Sequence, residues 1–414
     1  MTDTHSPAPD EIPSHVPEDL VRPIGLASGP EFLADPYGFM ASLHDTHPPV
    51  FYSPNPYGGG SWVIPKYEDC FHILRDPQTF SNRGGTPFPR DPDDYFDFIP
   101  QEIDPPDHRK YRAILDRKFS PAAMLALEPE LRTLANDLID RFIDKGACDF
   151  STEFSRPLPV SVFLGLMGLP LDMRDTFVGW AVDLLHSQNL ELMQAAMRNV
   201  VSFLRKAIAG KAARPDDSAL SLIVHARPDG VPLTDREIIG FAFFVFIAGL
   251  DTVYATLNNT FLWLARNPQR RNEIAAHPER LAQTVEELLR VFTVTFAGRS
   301  VTKDIELRGI SIKKGDRLVC VLPAANFDPD IFPDPRQVKF DRPRKPILAF
   351  AAGVHSCMGA HLARLEMKVC IGEFLRRIPD FRLQDDAVIN YLPGGVIGPE
   401  SLPLVWTNRA AQSA

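Results

Sequence analysis

Apolar residues recur at helical spacing through the middle of the chain. Between Leu131 and Phe142 they fall at i, i+3, i+4, i+7, i+8 and i+11, the spacing of one face of a helix. Gly146 follows and predicts the end of this helix. Similar patterns continue, with breaks, to about residue 291. The pattern therefore predicts a mainly helical protein.

The most apolar run, Ile238–Leu250, predicts a buried helix. Its 13 residues are fewer than the roughly 20 that a helix needs to cross a bilayer. Thr234 and Glu237 precede the run with the spacing of a capping box, so we expect the helix to begin there. A last long helix is predicted over about Met358–Arg377, because Pro379 lacks the N–H that a helix needs.

Strand-like patterns are short and few. Ser61–Ile64 is one, and Glu306–Val321 reads as short strands around a turn at residues 313–316. Proline makes up 39 of the 414 residues, nearly twice its usual share of about 5%, which predicts long irregular connections. We expect a Pro-rich N-terminal arm over residues 1–30 and a single domain over 31–414, mainly α with a minor β part.

Composition and charge narrow the functional classes. The 44 Lys and Arg residues against 53 Asp and Glu give a net charge of −9, which disfavours binding of nucleic acid. The first 23 residues lack the basic start and apolar region of a secretory signal, and nothing directs the chain to a membrane. The five cysteines form no Cys-x-x-Cys pair, so a disulfide framework is not expected. We expect the protein to lie in a reducing cytoplasm.

The segment 350–359 carries the clearest chemistry. It has Phe, Gly, His, Cys and Gly at offsets 0, 3, 5, 7 and 9. A cysteine between glycines just before a helix can have a lowered pKa, because nearby N–H groups favour the thiolate. A zinc site from His355, Cys357 and His361 is the metal alternative, although it lacks a fourth ligand at the usual spacing. A buried free thiol is expected for the remaining cysteines: Cys70, Cys148, Cys320 and Cys370.

The spacing in 350–359 resembles the haem-binding loop of the cytochrome P450 family. Further resemblances cover most of the chain. Glu287–Arg290 is similar to the Glu-x-x-Arg pair of the family, which is buried in its members. Ala248–Thr252 is similar to part of the family's long central helix. Other segments resemble the family's Pro-rich region or its soluble, bacterial camphor-hydroxylating branch: 325–329, 332–335, 340–342, 97–100, 104–106 and 402–406. The resemblance implies the P450 fold, with haem between a long central helix and the cysteine loop.

The resemblance also implies roles for individual residues. Cys357 would be the only protein ligand of the iron of a non-covalent haem b. Asp251 would carry protons, Thr252 would hydrogen-bond oxygen and hold water, and Gly249 would leave room for oxygen. The haem propionates would be bound by four cationic side chains: His108, Arg112, Arg299 and His355. The activity implied is monooxygenation, in which one atom of dioxygen enters the substrate.

Substrate contacts follow from the same resemblance. They correspond to Phe96, Phe244, Ile247, Ala248, Thr295, Gly395 and Val396. Where the camphor-hydroxylating branch has a tyrosine and an aspartate, this chain has Phe96 and Ala297. We therefore expect a small apolar substrate of terpenoid, norisoprenoid or aromatic type.

The expected electron donor is a [2Fe-2S] ferredoxin with its reductase. Basic residues cluster in two segments on the implied cysteine side: Arg109, Lys110, Arg112, Arg117, Lys118, Arg342, Arg344 and Lys345. We expect a cytoplasmic monomer with no nucleic-acid or membrane partner. Two alternatives are a peroxide-using peroxygenase and a non-catalytic haem carrier or gas sensor, and dependence of turnover on an external reductase separates them.

Overall fold

The computed structural model describes residues 12–55, 59–85 and 94–407. About 52% of the chain is helical, so the prediction of a mainly α protein with a minor β part is confirmed. The α-helices are α1 (Pro30–Ala34), α2 (Pro36–Thr46), α3 (Tyr67–Arg75), α4 (His108–Asp116), α5 (Pro121–Leu125), α6 (Glu128–Asp140), α7 (Pro157–Met167), α8 (Arg174–Leu185), α9 (Leu190–Ala213), α10 (Ala219–Val224), α11 (Asp235–Ala248), α12 (Thr252–Arg266), α13 (Pro268–Ala276), α14 (Leu281–Val291), α15 (Leu322–Ala325) and α16 (Ala360–Arg377).

The strands form three small sheets. They are β1 (Phe51–Ser53), β2 (Ser61–Ile64), β3 (Phe80–Ser81), β4 (Ala147–Asp149), β5 (Ala297–Val301), β6 (Ile305–Leu307), β7 (Ile310–Ile312), β8 (Arg317–Cys320), β9 (Arg382–Leu383) and β10 (Pro403–Val405). The largest sheet has the order β1-β2-β8-β5-β3, and β2 runs parallel to β8. The other two have the orders β4-β10-β9 and β6-β7. Both strand regions predicted from the sequence are confirmed.

Helix α11 begins where the capping box predicts. Thr234 Oγ1 accepts a hydrogen bond from Glu237 N, and Glu237 Oε2 accepts one from Thr234 N at 2.7 Å. The helix ends at Ala248, and α12 resumes at Thr252 after a break over Gly249–Asp251. The family's long central helix is thus interrupted at the residues with the predicted chemistry.

The run 235–266 is long and apolar enough to cross a membrane by length and composition. It continues beyond the 13-residue run seen in the sequence because α12 follows the break. Within the protein, 72% of its most apolar window is buried, which is also typical of a core helix.

The last helix supports the cysteine loop. Helix α16 begins at Ala360, two residues later than predicted, and ends at Arg377 as predicted. Its Phe374 lies in a buried aromatic cluster, with ring centroids 5.3 Å from Phe150 and 5.0 Å from Phe261 of α12. Burial of such rings stabilises the contact by apolar area and by edge-to-face geometry. The C-terminal part of α16 is thereby fixed against α12.

The described part of the predicted arm lies on the largest sheet. His15 Nε2 lies 2.8 Å from Asp316 Oδ2, Val16 is buried, and Arg22 N donates to Tyr52 O at 2.8 Å. Residues 1–11 of the arm lie outside the described residues. The division into an arm and one domain remains a prediction.

Candidate active site

A cavity of 380 Å³ lies between the α11–α12 break and the cysteine loop. Its size is in the range of small-molecule sites. Two predicted site residues, Asp251 and Phe96, do not line it. The other predicted site residues do line it: His108, Arg112, Phe244, Ile247, Ala248, Thr252, Thr295, Arg299, His355, Cys357, Gly395 and Val396. The fold thus gathers residues that are far apart in sequence.

The backbone of the cysteine loop is held by contacts that its sequence requires. Gly353 has φ +74°, and a Cβ there would overlap the Leu74 carbonyl of α3, so only glycine fits. Cys357 N donates to Phe350 O at 2.9 Å. Arg112 Nη1 of α4 donates to Ser356 O at 2.8 Å. The loop is therefore fixed from both sides beside the cavity.

The thiol of Cys357 lies deep in the protein. Part of the residue is nevertheless accessible to solvent, because it lines the cavity. Burial raises the pKa of the Cys357 thiol, and the Gly359 N–H, Arg112 and Arg364 lower it less than burial raises it. The lowered pKa that the sequence suggested is therefore not found. A bound metal cation would change this balance, since a coordinating thiol is deprotonated outright.

Two arginine and two histidine side chains form one end of the cavity. His108 and His355 have ring centroids 4.4 Å apart, and Arg299 is 3% exposed. Burial and the charges of His108, Arg299 and Arg112 lower the pKa of His355 to about 3. Burial also lowers the pKa of Arg299. Both ring nitrogens of His355 and Nε2 of His108 are buried without a hydrogen-bond partner. These unpartnered groups fit the two propionate carboxylates of a haem.

The opposite end of the cavity is apolar. Phe244, Ile247 and Ala248 come from α11, and Thr295 and Val396 pair as an isolated β-bridge. Phe96 instead packs in an aromatic group behind this wall. Its ring centroid lies 6.0 Å from Phe98 and 5.4 Å from Phe243, while the Phe98 ring lies 6.4 Å from Phe244.

The glycine in the helix break has a structural role that the sequence did not indicate. A Cβ on Gly249 would overlap the ring of Phe163 from α7. The missing side chain at Gly249 therefore makes room for the Phe163 ring, and the room for oxygen beside Gly249 remains a prediction. Both residues line the cavity.

Asp251 faces a histidine that the sequence analysis missed. Asp251 Oδ2 lies 2.9 Å from His186 Nε2, and the two residues are 3% and 5% exposed. Thr252, the next residue, begins α12 and lines the cavity. The acid and the alcohol are thus adjacent in sequence, but only the alcohol reaches the cavity wall. No local signal marks His186, because it is 65 positions from its partner.

Glu366 of α16 is a second residue that the sequence analysis missed. It is 1% exposed and lines the cavity, and its Oε1 has no hydrogen-bond partner. Burial raises its pKa to about 8. An acid among the apolar residues of a predicted helix was the available signal.

Among the described residues, no three His, Cys, Asp or Glu side chains form a group that could hold a metal ion. His355 contacts His108, and His361 is exposed. The zinc alternative therefore has no support in the structure. The single Cys357 thiol fits an iron that receives its other ligands from a haem ring.

Comparison with known proteins is consistent across sequence and structure. The family profile described as "Cytochrome P450" matches residues 172–394. "Probable cytochrome P450 127A1" of Sinorhizobium fredii is 38% identical over 402 residues, covering 95% of this chain and 97% of that protein. "Steroid C26-monooxygenase" of Mycobacterium tuberculosis is 31% identical over 371 residues, covering 87% and 97%. The crystal structure of CYP101J2 superposes with a TM-score of 0.84 at 30% identity, covering 96% and 99%.

These relationships extend over nearly the whole chain and agree with the cavity and the cysteine loop. Members of the family carry haem b with a cysteine thiolate on the iron. They act as monooxygenases or hydroxylases on a substrate and dioxygen, with redox partners. The chain belongs to the cytochrome P450 family of haem-thiolate monooxygenases.

Proposed function

We propose that this monooxygenase oxygenates a small apolar molecule of terpenoid, norisoprenoid or aromatic type, with electrons from a [2Fe-2S] ferredoxin and its reductase. One observation carries the proposal: a single cavity joins Cys357, two arginines and two histidines at one end to an apolar wall and Thr252 at the other. Turnover with the ferredoxin, its reductase and dioxygen tests it. Equal turnover with peroxide alone would favour the peroxygenase alternative, and no turnover in either assay would favour a carrier or sensor.

In this proposal Cys357 binds the iron, and the haem, when bound, supplies the activation of dioxygen. His108, Arg112, Arg299 and His355 bind the propionates, because guanidinium and imidazole N–H groups donate hydrogen bonds to carboxylates. Arg112 also holds the cysteine loop through Ser356 O. These side chains orient the haem and exclude water from its edge.

Thr252 and Asp251 supply protons in this proposal. Thr252 Oγ1 can donate a hydrogen bond into the cavity and accept one from water. The adjacent Asp251 carboxyl carries protons from the interior side of the helix break, since a carboxyl group can take up and release a proton. The apolar wall keeps other water out, so protons arrive at one place.

Thr252→Ala should separate reductant consumption from product formation. Loss of the hydroxyl removes the hydrogen bond that holds a proton-carrying water, while substrate and haem contacts remain. We expect reductant use to stay substantial, peroxide to accumulate, and product per reductant to fall by about tenfold or more, since a positioned proton donor contributes about 10²- to 10⁴-fold. Thr256→Ala is the matched control, because it removes the same hydroxyl group at a neighbouring threonine. The hydroxyl of Thr256 already donates to Thr252 O and is not free to hold the water. Full coupling in Thr252→Ala would contradict the relay.

The substrate preference is checked by the spin-state shift of the resting enzyme. We expect a cyclic norisoprenoid such as an ionone to bind more tightly than camphor, because the cavity wall formed by Phe244, Ile247 and Ala248 offers no donor for the camphor ketone. Apolar burial contributes roughly 25 cal/mol per Å² without fixing orientation. Thr295→Val should weaken ketones by no more than about tenfold, the worth of one neutral hydrogen bond, and leave hydrocarbons unchanged. A larger shift at lower concentration with camphor would refute the preference.

The basic surface proposed for ferredoxin is smaller than the sequence suggested. Arg342 is not part of it, because its side chain is bound to Glu287 at 3.1 Å and is only 9% exposed. Lys110 is paired with Asp107. Arg109 is exposed on α4, one turn before Arg112, which contacts the cysteine loop. The exposed cations that remain are Arg109, Arg117, Arg344 and Lys345.

Reduction by a ferredoxin should slow as salt is added. Attraction between an acidic partner and these cations is screened over about 10 Å at 0.1 M salt, and such steering changes association rates by about 10- to 10³-fold. Arg109→Glu should slow reduction at low salt, while Arg198→Glu on α9 makes the same charge change elsewhere and should not. Stopped-flow reduction measures both. A rate indifferent to salt and to Arg109→Glu would argue against this surface.

We also propose that the protein acts as a cytoplasmic monomer. The absence of a Cys-x-x-Cys pair and the net charge of −9 support this.

A further inference from the structure

The pair formed by His186 and Asp251 is a deeply buried ionisable contact beside the cavity. The side chains are 3% and 4% exposed, and the Nε2 to Oδ2 distance is 2.9 Å. The other ring nitrogen of His186, Nδ1, lies 2.8 Å from Pro393 O. Both ring nitrogens therefore have an oxygen partner.

Counting protons limits the states of this pair. A carbonyl oxygen cannot donate a hydrogen bond, and neither can an ionised carboxylate. Both contacts are hydrogen bonds only if His186 is doubly protonated beside an ionised Asp251, or if a neutral His186 faces a protonated Asp251. The two states contain the same number of protons. Removing one proton leaves two acceptors in contact, which is unfavourable in a buried site.

The backbone around Pro393 is shaped to reach His186. Gly394 has φ +117°, and a Cβ there would overlap the Leu185 carbonyl, so the close approach requires glycine. Gly394 N donates to Ala27 O at 2.8 Å, and Gly395 N donates to Leu185 O at 3.3 Å. These bonds hold the Pro393 carbonyl over Nδ1.

The other ionisable groups around the pair are Arg156, Tyr254 and Asp149. Arg156 lies 4.4 Å from the centre of the Tyr254 ring. Burial and the charge of Asp251 raise the pKa of Tyr254 to about 12, so it stays neutral. Burial lowers the pKa of His186, but Asp251 and the Pro393 carbonyl outweigh burial and the charge of Arg156, so the pKa is raised overall. His186 therefore keeps its second proton to a higher pH than an ordinary histidine does.

We propose that His186 is a positioning residue that holds Asp251 away from the cavity and loads it with the proton that Asp251 then carries. This inference rests on the proposed role of Asp251. In the step, the Nε2–H bond of His186 breaks and an O–H bond forms at Asp251 Oδ2, leaving a neutral ring that still donates from Nδ1 to Pro393 O. The neutral carboxyl is then free to rotate towards Thr252. The next proton comes from solvent and binds at Nε2, the nitrogen that the transfer leaves without a proton.

The first readout is the protonation of His186 itself. Long-range ¹H–¹⁵N NMR of the full chain, in the haem-bound ferrous carbon monoxide form, resolves the ring nitrogens of the 11 histidines. The spectrum of His186→Gln assigns His186, and His186→Asn replaces it if His186→Gln does not fold. We expect both nitrogens to carry protons at a pH above the ordinary histidine pKa of about 6.5. In Asp251→Asn the ring should lose its proton at lower pH.

The second readout is the pH profile of product formation. The wild-type rate should fall as pH rises through the raised His186 pKa. His186→Gln should form product about tenfold more slowly and lose this pH dependence, because water replaces only part of a positioned proton donor. His225→Gln, at an exposed histidine, is the matched control and should keep the wild-type profile.

Protein stability gives a third readout. Since the folded pKa of His186 is raised, its stabilising contribution is fully present below the unfolded pKa and is lost as pH rises through the folded pKa. The melting temperature of the wild type should therefore exceed that of His186→Gln most at low pH.

The possible failures are distinguishable. If Asp251→Asn keeps full turnover, the proposed relay is wrong. If Asp251→Asn slows turnover while His186→Gln keeps the wild-type rate and pH profile, only the role of His186 is wrong. A singly protonated His186 ring beside an ionised Asp251 at pH 6 would also overturn it.

Discussion

Cys357→Ala should abolish both the red-shifted Soret band of the ferrous carbon monoxide complex and monooxygenase turnover. The band reports a thiolate on the iron, and Cys357 is the cysteine that lines the cavity. The other four cysteines are buried and do not line it, so none of them can substitute. A thiolate pushes electron density towards the iron and favours O–O cleavage, and alanine offers no ligand.

The raised pKa of the Cys357 thiol sharpens this prediction. In the apoprotein, burial keeps the thiol protonated, so a thiol-alkylating reagent should react slowly with it at neutral pH. Haem binding should release a proton as the thiolate forms.

Cys148→Ala is the matched control, since Cys148 is 7% exposed on β4 and does not line the cavity. We expect it to keep the red-shifted band and turnover. A normal red-shifted band from freshly prepared Cys357→Ala protein would refute the assignment.

The ends of helices were predicted well where the residues that set them lie within one helical turn of the end. The Thr234–Glu237 capping box set the start of α11, and Pro379 limited α16 to Arg377. The cysteine loop was recognisable for the same reason, because its pattern fits within ten residues. Its Gly353 contacts α3, but glycine at that place is already part of the pattern.

Features that depend on distant contacts were not predictable in the same way. The Asp251 side chain turns to His186 because the fold brings the end of α8 beside the helix break. Phe96 packs on Phe98 and Phe243 because neighbouring aromatic rings form a wall one layer behind the cavity. Position 249 accepts only glycine because the ring of Phe163, 86 positions earlier in the chain, fills the place of a Cβ. None of these partners leaves a periodic or local signal.

Removing either side chain of the buried pair Glu287 and Arg290 should destabilise the protein by about 3–5 kcal/mol, a large part of the roughly 5–15 kcal/mol that stabilises a folded domain. The side chains are 5% and 1% exposed and meet in two parallel hydrogen bonds of 2.8 and 2.7 Å. Removing Glu287 leaves the buried Arg290 without a carboxylate, and removing Arg290 leaves Glu287 with Arg342 alone. The resemblance to the family predicted that this pair is buried, and the structure confirms it.

Arg290 is bound at every donor. Its remaining N–H groups donate to three backbone carbonyls of the Pro-rich segment: Asn326 O at 2.8 Å, Pro335 O at 2.9 Å and Gln337 O at 3.2 Å. Glu287 in turn accepts from Lys339 N and from the Arg342 guanidinium. Asn326 Oδ1 accepts from Leu348 N at 2.9 Å, at the entry to the cysteine loop. Loss of Arg290 should therefore loosen the segment that positions Cys357.

Arg290→Lys tests whether charge alone is sufficient. Lysine keeps the charge but offers three donors in place of five, without the planar fork. We expect it to destabilise nearly as much as Arg290→Ala and to lower haem occupancy at a fixed haem concentration. Urea unfolding followed by far-UV circular dichroism gives the free energy, and Soret absorbance gives the occupancy.

Arg270→Ala is the control, because Arg270 and Glu273 form an ion pair at 2.7 Å with the same i, i+3 spacing but with side chains 42% and 40% exposed. Exposed pairs contribute about 0–1 kcal/mol, since water screens both charges and solvates whichever one remains. The loss of unfolding free energy should thus differ severalfold between Arg290→Ala and Arg270→Ala. The difference comes from burial and from the backbone carbonyls bound to Arg290. Equal unfolding free energies for Arg290→Ala and Arg270→Ala would show that this pair does not organise the Pro-rich segment.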